Sequence, residues 1–185
     1  DVNGDGLADL IVGAHYSDPA TGTNAGRSYV VYGKAGTTAV NLSDIATGTG
    51  GFVINGQAAS DNSGVSVSSA GDVNGDGFDD IVIGAYAEYN TFEGAAYFVY
   101  GNASGTVPAL SGGSIAANLG FKLIGGLSSS FGYSVSGVGD INGDGLADMM
   151  IGANTNGSTY TGYGAYIIYG RTAFGGAYLG LGIDP

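Results

Sequence analysis

Asp72-Val-Asn-Gly-Asp-Gly-Phe-Asp-Asp80 runs directly into Ile81-Val-Ile-Gly-Ala85. The first nine residues carry side-chain oxygens at alternate positions 1, 3 and 5. A glycine stands at position 6, where the chain has to turn sharply, and an aspartate closes the run at position 9. The next three residues are β-branched and apolar, the composition of a buried strand. The pair returns twice. Asp1-Val-Asn-Gly-Asp-Gly-Leu-Ala-Asp9 leads into Leu10-Ile-Val-Gly-Ala14, and Asp140-Ile-Asn-Gly-Asp-Gly-Leu-Ala-Asp148 into Met149-Met-Ile-Gly-Ala153. The three copies start 71 and 68 residues apart, so an internal repeat organises the chain.

Further elements keep the same phase. Tyr29-Val-Val-Tyr-Gly33, Tyr97-Phe-Val-Tyr-Gly101 and Tyr166-Ile-Ile-Tyr-Gly170 follow the acidic runs. Gly51-Phe-Val-Ile-Asn-Gly56 and Gly120-Phe-Lys-Leu-Ile-Gly125 come next, and Ser63-Gly-Val-Ser-Val-Ser68 and Phe131-Gly-Tyr-Ser-Val-Ser136 precede the second and third acidic runs. One unit is therefore four short strands separated by Gly, Asn, Asp and Ser. No window keeps a helical period with caps. This predicts an all-β chain of β-propeller blades, each of four antiparallel strands. About three blades are expected, the first and last incomplete: blade one over 1–56 without its inner strand, blade two over 63–125, and blade three over 131–185 without its outer strand. Residues three apart on a strand face opposite ways. One tyrosine of each Tyr-x-x-Tyr pair is thus expected between blades and the other at an outward edge. Asp1 already belongs to an acidic loop, so the chain reads as a segment of a longer polypeptide or a processed product. Its incomplete edge blades would need covering by other parts of a parent chain or by other copies.

Composition removes several classes of function. The 185 residues include 38 Gly, four Lys plus Arg against sixteen Asp plus Glu, one His and no Cys, for a formal charge of −12. Such a chain does not attract nucleic acid. It offers no disulfide framework, thiol nucleophile or cysteine zinc site, and little room for histidine chemistry. No apolar run approaches a membrane span. No Gly-x-Ser-x-Gly elbow or phosphate loop occurs, and Asp18, Asp61, Glu88 and Glu93 form no recognisable acid–base pair. His15 reads as a loop residue.

The acidic runs carry the chemistry. Three carboxylates in nine residues repel one another unless a cation lies among them. Nine of the sixteen acidic residues sit at positions 1, 5 and 9 of the three runs. Oxygen donors without nitrogen or sulfur favour Ca2+ over transition metals, and Ca2+ tolerates an irregular shell better than Mg2+ does. Three bound Ca2+ would bring the charge from −12 to −6. A helix–loop–helix calcium site would need Glu at position 12, where Val12, Ile83 and Ile151 stand instead.

Phe131-Gly, the third acidic run and Ile151-Gly-Ala153 together resemble the FG-GAP repeat of integrin α-subunit β-propellers and their bacterial relatives. The resemblance extends over essentially the whole chain. It departs at Ser63-Gly64, where Phe-Gly is expected, and at His15, Tyr86 and Asn154, which replace the proline of the family's name. It implies that the acidic loop joins the innermost strand of a blade to the next strand and holds calcium. The implied ligands are Asp72, Asn74, Asp76 and Asp80 with the Phe78 carbonyl; Asp140, Asn142, Asp144 and Asp148 with that of Leu146; and Asp1, Asn3, Asp5 and Asp9 with that of Leu7. It places ligand binding on the opposite face, here 15–26, 86–94, 154–162, 56–63 and 125–130.

The expected function is a calcium-stabilised, non-enzymatic scaffold or adhesion module, extracellular or at the cell surface. A protein or glycan ligand and self-association through the incomplete blades are the expected partners. Alternatives are a lectin-like propeller using loop aromatics such as Tyr16, Tyr86, Tyr89, Phe92, Tyr160 and Tyr163, and an accessory region of a larger secreted enzyme.

Overall fold

The computed structural model describes residues 1–87, 93–105, 115–126, 129–154 and 164–174, with the backbone of 179–180. Three β-sheets follow one another along the chain. The first has the order β1 (Leu10–Ala14), β2 (Arg27–Val31), β3 (Gly51–Asn55). The second runs β4 (Ser66–Gly71), β5 (Asp80–Ala85), β6 (Ala95–Val99), β7 (Gly120–Ile124), all antiparallel. The third runs β8 (Phe131–Gly139), β9 (Asp148–Ala153), β10 (Gly164–Ile168). This is a partial β-propeller of three blades, and each acidic run that follows an inner strand, β4 or β8, is its hairpin turn.

Two features depart from expectation. A five-residue helix, α1 (Leu42–Ala46), lies between β2 and β3. Asn41 at its N-cap makes no side-chain capping bond, so burial of Ile45 holds it rather than a local signal. The two-residue strand β11 (Leu179–Gly180) pairs in parallel with β7 and gives blade two a fifth strand.

Two apolar cores separate the blades. Between blades one and two lie Val2, Val30, Ile54, Ile81, Ile83 and Tyr97 among others. Between blades two and three lie Val73, Val82, Phe98, Phe121, Met149 and Ile151. Strand alternation sorts β5 between them: Ile81, Ile83 and Ala85 face blade one, and Val82 faces blade three. Every residue of β5 and β6 is buried as a result. The tyrosine expectation needs correcting at blade two. Tyr97 and Tyr100 do face opposite ways, but both are buried, because each side of that blade has a neighbour.

Close backbone approach explains the glycine of the first two Gly-Ala pairs. A Cβ on Gly84 would lie 1.9 Å from the Gly132 carbonyl oxygen, and one on Gly13 would lie 2.0 Å from that of Gly64. Gly64 and Gly132 have φ of +87° and +84°, conformations open to glycine. Blades nest where one glycine meets another.

Candidate metal-binding loops

The three acidic loops share one hydrogen-bond scheme. In the second, Asp72 Oδ1 accepts from the backbone N–H groups of Gly75 and Asp76 at 2.6 and 3.1 Å, and Oδ2 from Gly77 at 2.9 Å. Asn74 Oδ1 accepts from Asp76 N–H at 2.9 Å, while its Nδ2 donates to Asp76 Oδ2 at 2.8 Å. Asp76 Oδ1 accepts from Phe78 N–H at 3.0 Å. Asp140, Asn142 and Asp144 repeat the pattern with Gly143, Gly145 and Leu146. In the first loop Asp1, Asn3 and Asp5 do the same with Gly6 and Leu7. Short polar side chains binding backbone two to five residues away favour this tight turn over helix or extended strand.

The closing aspartate behaves differently. Asp80 Oδ2 accepts from Val73 N–H and Oδ1 from Gly101 N–H, both at 2.9 Å. Asp148 ties Ile141 to Gly170 in the same way, and Asp9 ties Val2 to Gly33. The carboxylate thus latches its own loop to the Tyr-Gly end of a strand 21 to 24 residues onward. The sequence reading missed these glycine partners. Their signal was available: Tyr-Gly recurs at nearly constant distance after each closing aspartate.

Electrostatics mark the latch. Burial pushes the Asp80 carboxyl up to about 7 against the lowering effect of its two N–H donors, and the charges of Asp76 and Asp72 raise it further. At exposed Asp140, the N–H groups of Gly145 and, less strongly, Gly143 and Asp144 hold the carboxyl below its ordinary value.

The loops are thus gathered at positions 1, 3 and 5, with position 9 turned to the backbone. Among the described residues no three Asp, Glu, His or Cys side chains form a ready cage. The donor set nevertheless fits a hard cation. It is oxygen throughout, the carboxylate oxygens other than Asp72 Oδ1 and Asp140 Oδ1 accept one bond each and keep a second lone pair, and negative charge accumulates around Asp80.

The loops also cement the blades. Asp79 N–H donates to Asp1 O at 3.1 Å and Asn102 N–H to Val2 O at 2.9 Å. One blade on, Ala147 N–H donates to Asp72 O and Arg171 N–H to Val73 O, both at 2.9 Å. The carbonyls of positions 1 and 2 in one blade are therefore seats for the following blade.

An FG-GAP repeat profile matches residues 1–31, 63–100 and 131–169. The chain belongs to the FG-GAP repeat family. Among curated relatives, integrin alpha-4 of Xenopus laevis is 33% identical over 153 residues, covering 83% of this chain and 13% of the relative. Integrin alpha-3 of Cricetulus griseus is 34% identical over 155 residues, with the same two shares. Integrin alpha pat-2 of Caenorhabditis elegans is 36% identical over 96 residues, 51% of this chain and 7% of the relative. The chain thus spans about an eighth of the first two relatives' length.

The opposite face of these FG-GAP blades is partly described. Connections 15–26 and 56–63 are knit together: Gly56, Ser60, Asn62 and Ser63 N–H groups donate to Gly26, Thr23, Asn24 and Ala25 carbonyls. Buried Asp61 accepts from Gln57 and Ala58 N–H. Tyr16 is exposed and packs beside His15, whereas Tyr86 lies edge-on to Tyr133. Glu88, Tyr89, Phe92, Tyr160 and Tyr163 lie outside the described residues. No helix among the described residues is long and apolar enough to cross a membrane.

Proposed function

We propose that this chain is a calcium-stabilised, non-enzymatic FG-GAP scaffold working outside the cell or at its surface in adhesion. The observation that carries the reading is the threefold recurrence of one all-oxygen loop, each copy drawn up by the same backbone bonds. Its ligands are Asp72, Asn74, Asp76 and Asp80 with the Phe78 carbonyl; Asp140, Asn142, Asp144 and Asp148 with that of Leu146; and Asp1, Asn3, Asp5 and Asp9 with that of Leu7. Bound Ca2+ would neutralise the crowded carboxylates. Because the loops seat the next blade, stiffening a loop would stiffen the interface above it. The integrin alpha names of the relatives support an adhesion role, with a protein or glycan engaged on the opposite face.

Titration with Ca2+ followed by calorimetry tests the first part. Up to three sites are expected, and a chelator should lower Tm by several degrees. A melting curve indifferent to both additions would overturn it. The lectin-like alternative draws on Tyr16, whose exposed ring sits on that opposite face. It requires glycan binding that Tyr16→Ala weakens.

A further inference from the structure

We infer that the seam between blades one and two is a binding site for ordered internal water, held by the Ser28 and Ser63 hydroxyls and the Gln57 carboxamide where the next seam holds a phenylalanine ring. Ser63 and Phe131 occupy the same place in the repeat. Each bridges in parallel to the glycine before the second strand of the preceding blade, Gly26 or Gly94. The carbonyl of that glycine accepts from Gly56 N–H at 2.9 Å or from Gly125 N–H at 3.1 Å. Phe131 is 1% exposed, and its ring lies 5.4 Å from that of Tyr166 in the core between blades two and three. At the seam between blades one and two a hydroxymethyl group replaces that ring. Two neighbours change in the same sense. Ser28 pairs with Ile54 on β3 as Ala96 pairs with Leu123 on β7, and Gln57 follows Gly56 as Gly126 follows Gly125. Phe, Ala and Gly of one seam are thus Ser, Ser and Gln of the other.

The polar replacements are enclosed. Ser28 and Ser63 are both 0% exposed, and the Gln57 Nε2 atom is buried. Neither hydroxyl, nor that Nε2, has a hydrogen-bond partner among the described residues. Burying such groups unpaired is costly, and three in one stretch of a seam point to a bound polar molecule. The stretch is a short one. A Cβ on Gly64, the residue after Ser63, would lie 2.9 Å from Ser28 Oγ, and a Cβ on Gly56, the residue before Gln57, would lie 3.1 Å from Ser63 Cβ. Water both donates and accepts, which suits two hydroxyls and an amide N–H, and it is small enough for the space a missing ring leaves. A second observation agrees. Lys122, 4% exposed, donates from Nζ to Gln57 Oε1 at 2.9 Å and stands 5.1 Å over the Tyr97 ring. An enclosed ammonium is stable only in polar surroundings, so blade two also makes this end of the seam polar.

A high-resolution crystal structure of the whole chain tests this. Ordered water should be hydrogen-bonded to Ser63 Oγ and to at least one of Ser28 Oγ and Gln57 Nε2. In solution, long-lived water should give cross-relaxation to the backbone N–H groups of residues 28 and 63. The double variant Ser28→Ala, Ser63→Phe writes the second seam into the first and should lose that signal. Ser63→Ala serves if the double variant does not fold. It removes an anchor of the water and should lower Tm by several degrees, whereas deleting a hydroxyl that binds nothing would leave Tm unchanged or raise it. A dry seam in the crystal, no cross-relaxation in the wild type, a signal that survives in the folded double variant, or an unchanged or raised Tm in Ser63→Ala overturns the inference. It rests on the repeat fold rather than on calcium, so a chelator-insensitive melting curve would leave it standing.

Discussion

At Asp80 a buried carboxyl makes the stability of the ion-free protein depend on pH. Its folded value of about 7 lies above the ordinary 3.8. The folded state therefore keeps a proton that the unfolded chain has released, and the stability this provides is complete below about pH 4 and lost as pH rises through 7. In chelator, urea midpoints should fall from pH 5 to pH 8, with a slope of at most about 1.4 kcal/mol per pH unit. Asp80→Asn should remove that slope. With calcium present the neighbouring charges are compensated, and the slope should vanish or reverse. The glycine contacts give a second test. Gly84→Ala would drive a methyl into a backbone carbonyl of the next blade, whereas on Gly152 the nearest atom is the Ser134 hydroxyl, 2.2 Å away, which can rotate aside. Gly84→Ala should destabilise strongly, by about 3 kcal/mol or more, and Gly152→Ala by about 1. Equal losses on denaturant titration would contradict the nesting of blades two and three.

Strands and their stacking make up the next scale. Phe121 lies face to face with Phe98 at 4.2 Å and with Phe174 at 4.0 Å, and the Arg171 guanidinium stands 4.7 Å over Phe174. Phe121→Ala breaks both stacks inside a closed core and should cost about 3–5 kcal/mol in chemical denaturation. The strands themselves were readable in the sequence, because β-branched runs and Tyr-Gly ends recur in fixed phase with the acidic loops. Helix α1 was not readable: five residues are too few to show a period, and Asn41 gives no capping bond. Nor was β11, whose two residues gain strand character only from β7. The fate of Tyr97 and Tyr100 was half readable. Alternation set their directions, but burial depended on which blades stand alongside. In the loops the donor types were legible at every position, while the latch to Gly33, Gly101 and Gly170 was not, since the motif does not state what its closing aspartate reaches across the fold.

Taken as a whole, the array is most protected in its middle. β5 and β6 are buried throughout, whereas β1 and β10 each carry a large exposed apolar side chain. Amide hydrogen exchange should be slowest at 81–85 and 95–99 and faster at 10–14 and 164–168. Slow exchange at the edge blades alone would contradict that ranking.

The seating bonds also give the array a grain. The carbonyls of Asp72 and Val73 hold Ala147 and Arg171 of blade three, while those of Asp1 and Val2 hold Asp79 and Asn102 of blade two. The second and third turns are also bound to their predecessors, through the position-8 N–H groups of Asp79 and Ala147. Loosening the second turn therefore opens the seams on both its sides, whereas loosening the first or the third opens one, so the middle turn acts as a keystone.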